Sequence, residues 1–471
     1  MTKRVGGKMP VLAGAGLLAM AIAMPAQAEE AADASASEME ITVYGRHAGY
    51  DVHSASSPTK TETQLIDVPQ AITVLNRTQL NDQAVDSLND ALRYVPGVVL
   101  GQGEGHRDQV TLRGQNSTAD FFLDGLRDDA QYYRPLYNTE RVEVLKGANA
   151  MIFGRGGGGG VINRVSKTAS LDKTFGAASA SMGSWGEWMV SGDANVVVAD
   201  AVAVRINATH EDFANHRDSY DGHFTGIAPS LGADLGDATR LMLAYEYAED
   251  RRITDRGVPS VRPVAGAPGR PMSGVYRTFF GTSDTNSSSV DAHIVRARLD
   301  HAFSDSLSVN LQGQFAHYDK FYSNIYPRAA TATTVDFEGY LNATERENWI
   351  VQGNLVWHGK TGFMRHTLLA GFEASQQDTE DSRRLARFGA GGTATSGALP
   401  ITRPMAFPAI AFGPGSRGSV SRGKVLSAYI QDQVELGDHL QVVAGVRHDD
   451  FRIRSLNTIN GFAARRSDSK W

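Results

Sequence analysis

Residues 140–167 read ERVEVLKGANAMIFGRGGGGGVINRVSK, and six of the seven positions from Gly154 to Gly160 are glycine, with Arg155 the one interruption. Glycine at that density implies a backbone that needs positive φ or close approach to another segment. On either side, Val142-Glu143-Val144-Leu145 and Val161-Ile162-Asn163-Arg164-Val165 have the β-branched character of short strands. The competing reading, a phosphate cradle, fails on spacing. A P-loop puts lysine directly after its last glycine, whereas Val161-Ile162-Asn163 follow Gly160 and the next Lys-Thr pair is Lys167-Thr168. A dinucleotide fingerprint opens a helix behind its glycines, and β-branched residues stand there instead. The stretch is a strand–loop–strand.

Upstream, residues 1–28 have the form of a secretory signal. Lys3, Arg4 and Lys8 precede an apolar run from Val11 to Met24, and Ala26-Gln27-Ala28 is a small-residue cleavage site. The run is too short to cross a membrane as a helix, so the mature chain is expected to start near Glu29. No other stretch has 18 consecutive apolar residues. A secreted chain without cysteine does not rely on disulfides. The net charge of −6 argues against nucleic acid, which asks for a basic face. These features together suggest a protein of the Gram-negative envelope. The slightly hydrophilic mean hydropathy does not separate a soluble protein from a transmembrane barrel, in which only alternate side chains face lipid.

Alternation does separate them. From about Phe175 onward, Leu241, Leu243, Tyr245 and Tyr247 alternate with Arg240, Met242, Ala244 and Glu246. Runs starting at Val202, Leu307, Trp349, Leu368 and Leu440 repeat the pattern, each about the ten residues a tilted barrel strand needs. Short turns such as Leu235-Gly236-Asp237-Ala238 and Leu436-Gly437-Asp438-His439 alternate with long polar stretches, Asp250–Val290 and Thr379–Arg422, expected to be loops. Residues 462–471 do not alternate and are expected to form a loop. Before the strands, 86–97 reads as a short helix capped by Asp86 and stopped by Pro96-Gly97. Residues 29–60 read as a disordered acidic linker.

The phrases VPQAITV, LRYVPGV, LRG, FFLDG, ERVEVLKG, GRG and GGVIN, in this order over 61–168, closely resemble the plug domain of TonB-dependent outer-membrane receptors. The resemblance implies a mixed α/β plug at 61–168, followed at 169–471 by an all-β transmembrane β-barrel of the 22-stranded type. About 300 residues leave room for about the first dozen strands, so the resemblance implies a C-terminally truncated chain. It also implies a TonB box in the linker, at Glu40, Ile41, Thr42, Val43 and Tyr44, which would add a strand to an exposed sheet edge of the periplasmic TonB protein. The cargo implied is a ferric siderophore, with iron held only inside the siderophore and no cofactor of the protein's own. Outer-membrane lipid is the other partner, and nucleic acid is not one.

In this family ligand contacts come from outward plug loops, which here offer His106, Arg107, Gln115, Asn116, Tyr132, Tyr133 and Arg134. Arginine among aromatics suits an anionic or aromatic iron chelate. By the same resemblance Arg113 and Lys146 would lock the plug to glutamates on late barrel strands, which would lie beyond Trp471. His210, His216 and His223 with nearby aspartates match no zinc spacing and read as an outer loop. Neither paired carboxylates, an HExxH motif nor a Ser–His–Asp order is found, so an enzyme is not expected. The alternatives are an importer of cobalamin, haem or carbohydrate, and a passive porin-like barrel, which a plug argues against.

Overall fold

The computed structural model describes residues 49–471 apart from 102, 148–149, 157, 263–266 and 438. The signal segment 1–28 and the segment Glu40–Tyr44 lie outside the described residues.

The N-terminal domain is built on a five-stranded sheet. Its order is Ala71–Asn76, Thr139–Lys146, Gly160–Ser166, Phe121–Leu123 and Leu126–Arg127. The two strands flanking the glycine block pair antiparallel, Ile162 opposite Val144, and Ile162 also pairs parallel with Phe121. Val142, Val144 and Ile162 are fully buried and pack with Leu80, Leu88, Leu92 and Leu112 into the domain core. A small antiparallel sheet, Val98–Leu100, Val110–Leu112 and Gln115–Ser117, lies alongside. The helix expected at 86–97 is shorter, Leu88–Leu92, and its cap is Ser87 rather than Asp86. Ser87 Oγ accepts from the Asp90 amide at 3.1 Å and donates to the Asp90 carboxylate at 2.6 Å, a reciprocal arrangement that Asp86 is one residue too early to make.

The glycine block turns the chain between the two central strands. Gly154, Gly156 and Gly160 have φ of 72°, 87° and 147°. A Cβ on Gly159 would lie 2.1 Å from the Leu112 carbonyl oxygen, so the loop is pressed against the neighbouring sheet.

From Phe175 to Lys470 twelve antiparallel strands follow one another in chain order as a single meander, with Ser396–Pro400 added beside Thr334–Thr361. At one end the strands are joined by tight turns at 200–201, 235–238, 305–306 and 362–363; at the other lie the longer connections, among them those after Arg252 and Phe388. The expected asymmetry is therefore present. The stretch 379–422 is not one long loop, because the ladder continues to Phe388 and resumes at Ile410. Thr334–Thr361, at 28 residues, spans about 95 Å at about 3.4 Å per residue, far beyond a bilayer core of about 30 Å.

Two further expectations are corrected. Ala463–Lys470 is a strand, paired with the chain's preceding strand from Leu456 to Asp449. Its polar sequence hid this, because backbone pairing needs no apolar alternation. His210 and His223 sit on paired strands, not in a loop. Among the described residues no group of three or more His, Asp or Glu is placed to hold a metal ion.

The two faces of the large sheet are opposite in character. Val190, Leu243, Leu311, Trp349, Val351, Leu355 and Ile430 are exposed, while Asn195, Asn207, Glu246, Arg296, Gln352, Asn354, Gln431 and Arg447 are buried. A soluble domain would bury the first set and expose the second. A lumen-polar, lipid-apolar wall is the arrangement of an outer-membrane barrel. Phe175–Met182 and Ala463–Lys470 are the sheet's two edges and do not pair with each other.

Candidate functional site

The buried polar face of the large sheet rests on the N-terminal domain, and the seam between them is made of named polar contacts. Arg296, on the strand Ser287–Ser304, donates to Ser166 Oγ at 2.9 Å and forms an ion pair with Asp124. Asn138 reaches Glu246 at 3.4 Å, and Arg346 and Gln377 both reach Asp129, at 3.2 and 2.8 Å. Lys167 pairs with Asp193 at 3.0 Å. A small charged cavity on this seam is lined by Arg127, Asp129, Arg155, Glu373, Arg447 and Asp449 together with polar neighbours.

Residues 49–60, expected to belong to a disordered linker, are ordered against the same face. Ser54–Ala55 pairs with Thr63–Gln64, Gln431 donates to the Thr59 carbonyl at 3.2 Å, and Gln433 donates to Thr61 Oγ1 at 2.7 Å. Lys60 lies 5.1 Å from the Tyr429 ring centre. Composition alone gave no hint of this strap, because its partners are about 370 residues downstream.

At the long-loop end, the N-terminal domain presents the turn Gly103–Gly105 to the wall. Glu104 accepts from Arg107 at 2.9 Å, from Arg256 at 2.8 Å and from the Tyr340 hydroxyl at 2.8 Å. Tyr322 donates to the Glu104 carbonyl at 2.9 Å and packs on His106 with ring centres 3.8 Å apart. Arg256 stacks on Tyr326 at 3.8 Å and Arg383 on Tyr340 at 3.9 Å. The His106 imidazole is held near pKa 3, first by its burial and then by the neighbouring cations, so it is neutral at physiological pH. For Glu104 the approach of His106 Nε2 at 3.8 Å and the hydrogen bonds from Arg107, Arg256 and Tyr340 outweigh burial and hold the carboxyl well below the usual range. The cluster is cationic and aromatic, suited to anionic or aromatic ligand groups.

Of the seven loop residues singled out from the sequence, His106 and Arg107 stand in this cluster. Tyr132 and Arg134 do not face an open mouth. They are buried one layer below, where Arg134 and Arg164 both bond Asp128 at 3.0 Å and Tyr132 donates to the same carboxylate at 3.0 Å. Burial pushes Asp128 up, but the two guanidiniums together bring it below the ordinary carboxylate range. Arg134 is fully enclosed because an arginine in this loop can satisfy its five donors internally, on Asp128, the Ala130 and Tyr132 carbonyls and Asp108. Tyr133 carries Arg252 over its ring at 4.3 Å. Gln115 and Asn116 are exposed on a separate hairpin, Gln115 beside Gly158 and Gly159.

Lys146 reaches Thr73 Oγ1 at 3.4 Å and the Pro96 carbonyl at 3.3 Å, both within the N-terminal domain. Arg113 is exposed and lies beside Gly147. Among the described residues neither bonds the wall. The seam contacts at Arg296, Arg346 and Gln377, and the mouth residues Glu104, Arg256, Tyr322 and Tyr340, were missed by sequence reasoning. For those on the wall strands the one visible signal was a polar, charged or tyrosine residue at the inward position of the alternation; Glu104 and Arg256 stand in connections and gave none.

Residues 64–161 match the family model for the TonB-dependent Receptor Plug Domain, and residues 219–471 match the model described as TonB dependent receptor-like, beta-barrel. The chain belongs to the TonB-dependent receptor family. The N-terminal domain is its plug and the large sheet its barrel wall. Among curated relatives, the chain is 30% identical over 370 residues to "Probable TonB-dependent receptor BfrD" of Bordetella pertussis, covering 76% of this chain and 49% of that protein. It is 28% identical over 432 residues to the "Catecholate siderophore receptor Fiu" of Escherichia coli K12, covering 84% of this chain and 54% of the relative. The chain thus spans about half the length of the curated relatives it matches. The fold is also that of the crystal structure of the siderophore receptor PiuA from Acinetobacter baumannii, with a TM-score of 0.80 at 24% identity, over 87% of this chain and 62% of that one.

Proposed function

We propose that this chain is part of a TonB-dependent outer-membrane receptor that imports a ferric siderophore, drawing energy from the periplasmic TonB protein. The observation that carries the reading is the arginine–tyrosine cluster where the plug turn at Glu104 meets the barrel wall at the long-loop end. A passive pore has no use for a plug bonded to its wall at so many points. The siderophore assignment is supported by the relatives named above, which include a catecholate siderophore receptor and a siderophore receptor. Outer-membrane lipid would contact the exposed apolar face, and the iron would travel inside its chelator with no cofactor of the protein.

The test is uptake of radioactive iron by cells whose only siderophore receptor carries this chain. Ferric catecholate should be taken up, and uptake should vanish without TonB. Thr42→Pro in the proposed TonB box should abolish uptake and leave surface binding intact, since proline removes a strand donor and fixes φ. Import of haem or cobalamin in place of ferric siderophore would overturn the cargo; uptake indifferent to TonB and to Thr42→Pro would overturn the energising partner.

A further inference from the structure

The plug turn at the mouth holds three consecutive left-handed residues, Gly103, Glu104 and Gly105, with φ of 61°, 61° and 78°. Glycine takes this conformation freely, but glutamate does so only when its surroundings hold it there. What holds it is the ligation of its carboxylate, together with the Tyr322 hydroxyl on its carbonyl. One oxygen accepts from Arg256 and Tyr340, the other from Arg107, all at 2.8–2.9 Å. Gly105 completes the docking: a Cβ there would lie 2.5 Å from the Asp255 carbonyl oxygen, so the turn sits directly on the backbone of the long connection 253–286.

Two features distinguish this arrangement from an ordinary structural ion pair. The Glu104 side chain is about one-third exposed, so solvent and ligands reach it. Arg107, by contrast, is almost enclosed, yet its Nε and Nη1 have no hydrogen-bond partner, although it carries a full charge. A single carboxylate therefore leaves buried cationic donors unused, and a ligand with more than one anionic oxygen would engage them better.

We propose that the Glu104 carboxylate is a built-in occupant of an anion site formed by Arg107, Arg256 and Tyr340, and that an anionic oxygen group of the ligand, carboxylate or catecholate, displaces it. Displacement removes the contacts that hold the turn left-handed against the wall, so occupancy of the mouth is converted into release of the plug turn from Asp255 and Arg256. This site deepens the importer reading and rests on it for the identity of the ligand. It selects for anionic over neutral or cationic chelates, because only an anion replaces what Glu104 supplies.

The experiment is calorimetric binding to the purified receptor in detergent. The probes are the disulfonated catechol tiron, its anionic ferric complex, and the cationic ferric hydroxamate ferrioxamine B. Glu104→Gln keeps a side chain that can bond Tyr340 and Arg256 but removes the competing charge. It should bind tiron and its ferric complex about tenfold more tightly than the unaltered receptor, and Arg256→Gln about tenfold more weakly. Glu104→Ala should shift binding in the same direction as Glu104→Gln, with an unchanged melting temperature as the folding control. Ferrioxamine B should respond to none of these changes. Equal or weaker tiron binding by both Glu104 variants, no tiron binding by any form, or an equal gain for ferrioxamine B would overturn the proposal. If tiron follows the expected order and neither ferric complex binds, the anion site stands and the siderophore reading fails.

Discussion

Arg134 Nε donates to Asp128 Oδ2 at 3.0 Å with neither side chain exposed, and Arg164 Nη2 meets the same oxygen from the other side, also at 3.0 Å. One carboxylate thus bonds two buried guanidiniums, and Asp108 supplies the second negative charge beside Arg134. Tyr318 of the barrel wall donates to the second Asp128 oxygen at 3.1 Å, which ties the plug interior to the wall.

Removing one partner of such a cluster strands the others. Arg134→Met should destabilise the plug by about 3–5 kcal/mol, and Asp128→Asn by a similar amount, since an uncompensated buried charge remains. Denaturant unfolding of the purified receptor reads this directly. Ligand affinity per folded molecule should be nearly unchanged. A stable Arg134→Met receptor with lost ligand affinity would instead make Arg134 a ligand contact, as its loop position in the sequence suggests.

The glycine block makes a contrast within one loop. At Gly159 a Cβ would meet the Leu112 carbonyl oxygen at 2.1 Å, while at Gly158 the nearest atom is the Gln115 side-chain oxygen at 3.4 Å. Gly159→Ala must move backbone and should cost about 1–3 kcal/mol; Gly158→Ala should be close to neutral. Heat-resistant receptor in outer-membrane fractions, quantified for both variants, checks the difference. Equal levels would mean that the loop does not lie against Leu112.

Arg296 ties the plug to the wall, bonding Ser166 and Asp124 beside Glu246. Arg296→Leu removes the cation beside both Asp124 and Glu246. Amide hydrogen exchange around Gly125 and Ser166 should accelerate, and entry of bulky antibiotics should rise. Lys146→Met, whose amine reaches only Thr73 and Pro96 among the described residues, should change exchange at those plug strands and leave permeability unaltered. The opposite ranking would make Lys146, rather than Arg296, the residue that holds the plug to this part of the wall.

Lys60 supplies a pH dependence. Burial lowers its ammonium to about 7, with Arg447 adding to the effect and Glu373 opposing it. An unfolded lysine titrates near about 10.4. Between these values the unfolded chain binds the extra proton, so stability rises with pH across the window and the penalty is complete below about 7. The denaturant midpoint should therefore increase from pH 7 to pH 10, and Lys60→Met should flatten the profile. A flat profile in the unaltered protein would show that Lys60 is solvated.

The elements were legible wherever a local pattern forces them. Val142-Glu143-Val144-Leu145 and Val161-Ile162 had to be strands around a block that only glycine can turn, and the alternation at Leu241–Tyr247 had to place two kinds of side chain on two faces. Backbone sterics and the two-residue strand period act within a few positions, so sequence alone determines them, and with them the plug-then-barrel order. The tertiary structure decided what depends on partners far away in the chain. Arg134 is enclosed rather than ligand-facing because Asp128, Asp108 and neighbouring carbonyls satisfy it. Lys60 is ordered because residues 429–433 lie beside it. Ala463–Lys470 is a strand because its neighbour offers open hydrogen bonds. Glu104 is ligated because Arg256 and Tyr340, about 150 and 240 residues on, converge at one turn. Charge pairing and backbone pairing act through space, and no local pattern in a sequence encodes which distant residue will be there.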